Sequence, residues 1–154
     1  MLYVLVTLGR ERYALAASMV IEVVPLVRLK ALAGAPAGAA GLMNFRGTAL
    51  PVVDLALVAT GTPTPETNAA RIVVVRYAPP STLRDEALGL LVPDARDTMR
   101  LDPDSFVAVG VAAAGAPYFG HVLATPEGML QRLDLHTLLT AELRLALYRA
   151  DEAA

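Results

Sequence analysis

The chain has 154 residues, with 13 lysines and arginines against 15 aspartates and glutamates, a net charge of −2, and no cysteine. That length suits one domain able to bury a core without metal or disulfide help; the missing thiols exclude a disulfide framework, a thiolate metal site and a cysteine nucleophile, and no basic stripe is present to meet a nucleic-acid backbone. Hydrophobic residues reach 55% and mean hydropathy is +0.51, yet no stretch offers the ~20 consecutive apolar residues of a bilayer span, and Met1–Leu8 lacks the basic start of a signal peptide, so a cytoplasmic location without membrane insertion is expected.

Leu2–Leu8 and Tyr13–Ala16 are apolar runs separated by Gly-Arg-Glu-Arg, the pattern of a hairpin with a charged turn. Met19–Val24 reads as a third strand. Alternation assigns Met19, Ile21 and Val23 to the core and Val20, Glu22 and Val24 to an outer face. Two valines around a carboxylate make a small patch of the kind that marks contacts, although the same carboxylate would also keep an edge strand soluble. Leu29–Gly41, rich in alanine and glycine, reads as a connector in which Pro36 opens one short helical turn. Its glycines lack the lysine of a phosphate loop and the strand-to-helix setting of a dinucleotide fingerprint.

The stretch Gly41–Asp54 organises the rest. It holds a polar turn centred on Asn44, Arg46 and Gly47, in which Gly47 supplies a positive φ, Asn44 bonds nearby backbone and Arg46 takes an exposed apex. Ala49–Leu55 follows as a valine-rich strand, where Pro51 implies an edge position or the strand's beginning. Asp54 has no acid or base beside it, and a strand-terminal aspartate bonding local backbone is the expectation.

Leu55–Ala59 is a brief helical or irregular piece, and Thr60–Asn68, with Gly61, Pro63 and Pro65, is an exposed loop expected to tolerate substitution. Arg71–Tyr77 and Glu86–Val92 read as central strands of a hairpin, and Asp97–Leu101 as extended chain. The turn at Asp102-Pro103-Asp104 lacks the spaced oxygens of a calcium loop. Tyr118–Thr125 and Met129–Asp134 form a last strand pair around Pro126-Glu127-Gly128. The period then changes: Leu135, Leu138, Leu139, Leu143 and Leu147 fall on one face of a helix, with Glu142, Arg144 and Arg149 mostly outside it. Nine or ten strands and one clear helix make the class mostly β, at a strand spacing that suits barrels.

Catalytic chemistry finds little to use. His121 and His136 have no metal-ligand spacing, and Ser18, Ser81 and Ser105 lie in no nucleophile elbow. Aromatics are 5% with no tryptophan, which is poor material for stacking single-stranded bases. No catalytic residue, metal or cofactor is expected, and the chain reads as a non-enzyme.

The turn Gly41-x-x-Asn44-x-Arg46-Gly47 followed by Pro51-Val-Val-Asp54-Leu55 resembles the signature of the CheW family, the coupling proteins of bacterial chemosensory arrays. Further motifs follow that family's order and rough spacing: Leu8-Gly9, Tyr13-Ala14-Leu15, Val20-Ile21-Glu22-Val23, Leu32-x-Gly34-Ala35-Pro36, Arg71–Val75, Leu88–Val92 and Leu133–Leu139. The resemblance therefore covers nearly the whole chain. It implies a single CheW-like domain over residues 1–154, built as two small five-stranded β-barrel lobes that share a core, with a C-terminal α-helix. It also implies an adaptor that binds the regulatory domain of a CheA-type histidine kinase and the cytoplasmic domain of a methyl-accepting chemoreceptor, at membrane-bound arrays. The module is expected to stand alone, since no phosphotransfer helix or nucleotide-binding domain precedes it. The family's receptor contacts fall on Val20, Glu22 and Arg46, with Asn44 in the same turn, and Gly41, Leu42 and Gly47 are added as partner-binding positions. Two departures stand out. Ala56 occupies a position where the family often has arginine, and Phe45 replaces a common leucine. Asn44-Phe-Arg-Gly47, Ala116–Gly120 and Gly128–Gln131 look closer to variants of alternative, Wsp-like surface-sensing pathways, so the alternative expectation is a CheW-like module recruited to pili, surface sensing or cyclic-di-GMP control.

Overall fold

The computed structural model describes residues 1–77, 86–108, 121–135 and 139. Its strands are β1 (Leu2–Leu8), β2 (Glu11–Ala16), β3 (Val20–Pro25), β4 (Ala39–Phe45), β5 (Thr48–Asp54), β6 (Arg71–Tyr77), β7 (Glu86–Val92), β8 (Asp97–Arg100), β9 (Val107–Ala108), β10 (His121–Thr125) and β11 (Gly128–Arg132), with one short helix, α1 (Leu55–Thr60). They form a six-stranded sheet in the order β8-β1-β2-β11-β10-β9 and a five-stranded sheet in the order β3-β6-β7-β5-β4. The class is mostly β, as expected. The first lobe carries a sixth strand, β9, whose two residues are too short to signal themselves in sequence.

The high hydropathy has a simple cause: the central strands are buried on both faces. In β1, Tyr3 and Leu5 pack inside the first lobe with Ala14, Phe106 and Leu130, while Val4, Val6 and Leu8 point the other way, into a core shared between the lobes. In β6, Val73 and Val75 enter that shared core, and Ile72 and Val74 fill the second lobe beside Met43, Leu50 and Val52. A strand buried on both sides reads as a continuous apolar run, which is why the charge density is low. Burying a valine or leucine in this way contributes roughly 1.5–3 kcal/mol. Among the described residues no helix is long and apolar enough to cross a membrane.

The second sheet curls until its edges meet. Beyond β3 the chain returns to β4 at an isolated bridge, where Lys30 and Leu42 exchange two backbone hydrogen bonds of 2.8 Å. Pro51 lies in an interior strand, between β4 and β7, instead of at an edge. Its missing N–H is harmless there for a geometric reason. Leu42, its partner across the β4–β5 pair, spends its own N–H and C=O on Lys30, so the pair is a non-hydrogen-bonded one and the Pro51 nitrogen points away from β4. On that side, pairing with β7 begins only at Val52.

Pro36 opens a single turn, closed by Ala39 N–H to Pro36 O at 3.2 Å, and no helix forms. Leu135 and Leu139 are buried in the shared core, and the Leu139 N–H bonds the Leu135 carbonyl at 3.3 Å, one helical step; the rest of the expected C-terminal helix, with His136, lies outside the described residues, as do Tyr118–Gly120.

The loop expected to be indifferent to substitution holds one buried anchor. Thr64 is 7% exposed, and its N–H and hydroxyl both donate to the Asp54 carboxylate, at 3.0 and 2.7 Å. Thr64→Val is expected to lower stability by about 1–3 kcal/mol, because it leaves a buried acceptor short of a partner, whereas changes at exposed Pro65 or Thr67 should stay within about ±0.5 kcal/mol. Thermal melts of the three variants check this.

Candidate functional site

β4 and β5 pair down to Phe45 and Thr48, leaving Arg46 and Gly47 as a two-residue turn with φ of 52° and 84°. Two successive positive φ values match the type I′ turn, whose twist fits the strands it joins. Glycine adopts that conformation freely. Arginine does not: Arg46 is the one non-glycine residue with positive φ among the described residues, a strain of about 1 kcal/mol or more that tends to collect at functional positions. Asn44 supports the turn, its Oδ1 accepting the Gly47 N–H at 2.9 Å.

Two side chains steady the Arg46 guanidinium. Its carbon lies 4.9 Å from the centre of the Phe45 ring, and its Nη2 donates to Glu22 Oε2 at 3.0 Å across the seam between β4 and β3. The pair remains open to water, with the Arg46 side chain 68% exposed and that of Glu22 40%. The turn thus presents a permanently charged, forked donor braced by an aromatic face and a carboxylate. Phe45 therefore belongs to the structure of the turn and is more than a departure from a common leucine; the Phe-Arg adjacency is its signal in the sequence, since a ring there can carry a cation.

Of the positions expected to make contacts, Glu22, Asn44, Arg46 and Gly47 come together. Val20 does not join them at the surface: it pairs with Val75 and packs, half-buried, on the shared core. Met19, just before β3, packs on the shared core as expected, but within β3 the expected faces do not hold. Val20 and Val24 face the cores, and Ile21 and Val23 are the exposed residues, at 39% and 38%. Cross-strand register explains it, because partners on adjacent strands share a face. Glu22 pairs with Val74, which lines the interior of the second lobe, and Val23 pairs with Val73 in the shared core, after a bulge between Val20 and Glu22. β3 is an edge strand, so its shared-core face runs out into solvent at Ile21 and Val23. Leu42 is half-buried, and Gly41 is buried against Lys30.

Asp54 sits where β5 ends and caps α1, its Oδ1 accepting the Leu57 N–H at 3.2 Å. This is the local-backbone role expected of it. His121 shares its Nδ1 with Arg132 Nη2 at 2.8 Å, and no cluster of metal-ligating side chains occurs among the described residues.

A family model described as the CheW-like domain matches residues 2–143. The chain belongs to the CheW family. Among solved structures, it is similar to the scaffolding protein TtCheW from Thermoanaerobacter tengcongensis, seen in a crystal structure, with 23% identity and a TM-score of 0.78 over 92% of this chain and 89% of that one. No match was found among curated protein sequences. The CheW-like fold is therefore established, and within it the braced Arg46 turn is a distinct exposed polar feature of the described residues.

Proposed function

We propose that this CheW-like domain is a non-enzymatic scaffold that couples the cytoplasmic tip of a chemoreceptor to the regulatory domain of a CheA-type histidine kinase. The observation that carries the reading is the Arg46 apex: an exposed guanidinium in a strained turn, held by Asn44, Phe45 and Glu22. A fork of donors fixed in this way suits carboxylates or helix-end carbonyls on a receptor hairpin. The apolar margin formed by Ile21 and Val23 on the same edge strand supplies area for an amphipathic helix. Gly41 and Gly47 serve the surface by shaping the backbone, and the half-buried Leu42 adds apolar area on the same hairpin. The protein works on the cytoplasmic side of membrane-bound receptor arrays.

Such a scaffold changes kinase output only as far as its contacts are better in one array state than in the other. Its own chemistry is binding. A second reading, recruitment to a pathway governing pili, surface sensing or cyclic-di-GMP, is favoured by the Phe45–Arg46 stack, which a leucine at position 45 would not provide.

Calorimetric titration of the protein with the regulatory domain of the kinase from its own genome is expected to give a Kd near 1 μM, about −8 kcal/mol. Titration with a receptor tip fragment is expected to give a separate, simultaneous site. If neither the kinase domain nor the receptor tip binds, the coupling role is wrong. Binding confined to partners encoded with a surface-sensing system selects the second reading.

A further inference from the structure

A groove of about 590 Å³ opens between the loop at Leu26–Leu29 and the loop carrying Thr64 and Glu66, and Asp54 is among its lining residues. We propose that this groove is a socket for a basic side chain, a lysine or arginine carried on a segment of a partner protein.

The argument starts from Asp54, which is 7% exposed. A carboxylate offers about four acceptor positions. Oδ1 takes the Leu57 N–H at 3.2 Å and the Thr64 hydroxyl at 2.7 Å, and the Thr64 N–H is shared between Oδ2 at 3.0 Å and Oδ1 at 3.3 Å, so Oδ2 has this one shared donor alone. All these donors are neutral, and among the described residues no cation pairs with Asp54. Buried charges are ordinarily paired, so this one keeps capacity for a charge-assisted bond on the oxygen that carries fewer partners. Capping α1 explains the Leu57 bond and pinning the loop explains Thr64. Neither explains why a groove opens beside Asp54.

The walls fit the stem of such a side chain. Leu26, Val27, Leu29 and Leu91 line the same groove, and lysine and arginine lay their methylene chains along apolar surface while placing the charge at a polar end. The rim carries Glu66, which favours a cation, and Arg28, which opposes one. Both are exposed and screened by salt, so the buried carboxylate decides the sign.

The test is amide NMR of the full chain titrated with acetyl-Leu-Arg-Leu-amide and acetyl-Leu-Lys-Leu-amide, against counterparts carrying citrulline and norleucine. The Thr64 and Leu57 amides, which donate to Asp54, are expected to shift saturably with the basic peptides and at least roughly tenfold more weakly with the neutral ones, about 1.4 kcal/mol. Asp54→Asn keeps an oxygen to cap α1 but removes the charge, and is expected to abolish the difference between basic and neutral peptides. Should that variant fail to fold, the wild-type comparison of charged and neutral peptides decides. Equal response to both kinds, no saturable response to either basic peptide, or shifts confined to the Glu22–Arg46 region would overturn the proposal.

Discussion

With glutamate in place of Arg46, the chain is expected to keep its fold and to lose roughly a hundredfold or more in affinity for the receptor tip, about 3 kcal/mol. The two halves of that expectation have separate grounds. Folding should be spared because the Arg46 side chain is 68% exposed, and an exposed ion pair of this kind contributes about 0–1 kcal/mol. The backbone demand at φ 52° is the same for arginine and glutamate, so the substitution adds no new strain to the turn. Binding should suffer because the reversal replaces a forked donor with an acceptor and sets two carboxylates, positions 22 and 46, against any acidic partner; losing one side of a desolvated charge pair costs about 2–5 kcal/mol. Arg46→Lys separates charge from shape. It keeps the cation but loses the planar fork and its stack on Phe45, and an intermediate affinity is expected. Circular dichroism with calorimetry on the two variants is the check. Unaltered binding by the glutamate variant, or its failure to fold, would remove Arg46 from the contact surface.

The polar turn was legible because it is local: Asn44, Arg46 and Gly47 specify their geometry within four residues, and the structure places Asn44 Oδ1 on the Gly47 N–H. The apolar runs were legible as strands for the same reason. What sequence periodicity missed depends on the partner strand. Glu22 marked its face as outward under the rule that charge seeks solvent, yet it lies on the interior face of an edge strand and escapes across the seam to Arg46. Ile21 and Val23 read as core residues because they are apolar, yet the edge of the sheet leaves them in solvent. Pro51 misled because one rule covers two cases: an interior strand tolerates proline wherever the neighbouring ladder has not yet begun. Thr64 was hidden among loop residues, since nothing in a run of threonines and prolines says which hydroxyl a carboxylate ten residues earlier will capture. These are failures of non-local information, and they fall where the candidate sites are built.

Gly41→Val is expected to be the most destabilising single change near the site, although Gly41 touches no partner in the proposed function. The residue has φ 143°, a region that side chains rarely enter and whose occupation costs about 1–3 kcal/mol. Space is also lacking: a Cβ built there would overlap the Lys30 carbonyl oxygen and lie 3.1 Å from the Leu29 Cβ. That carbonyl belongs to the bridge in which Lys30 and Leu42 trade two bonds of 2.8 Å, so relieving the clash means opening the seam that closes the second lobe. Two such bonds contribute about 0.5–1.5 kcal/mol each. Together with the strain they put the loss at roughly 2–6 kcal/mol, and at about 2–4 °C per kcal/mol for a chain of this size the melting temperature should fall by roughly 4–24 °C. Gly47→Val is the control. Its φ is 84°, but no atom lies within 4 Å of an added Cβ, so only strain applies and the fall should be clearly smaller. The comparison also bears on binding. If the seam positions the hairpin, Gly41→Val weakens receptor affinity through Arg46 while leaving Arg46 itself intact, and adding Arg46→Glu to it should then cost less than in the wild-type background. Full additivity of the two losses would mean that the seam and the hairpin apex are independent.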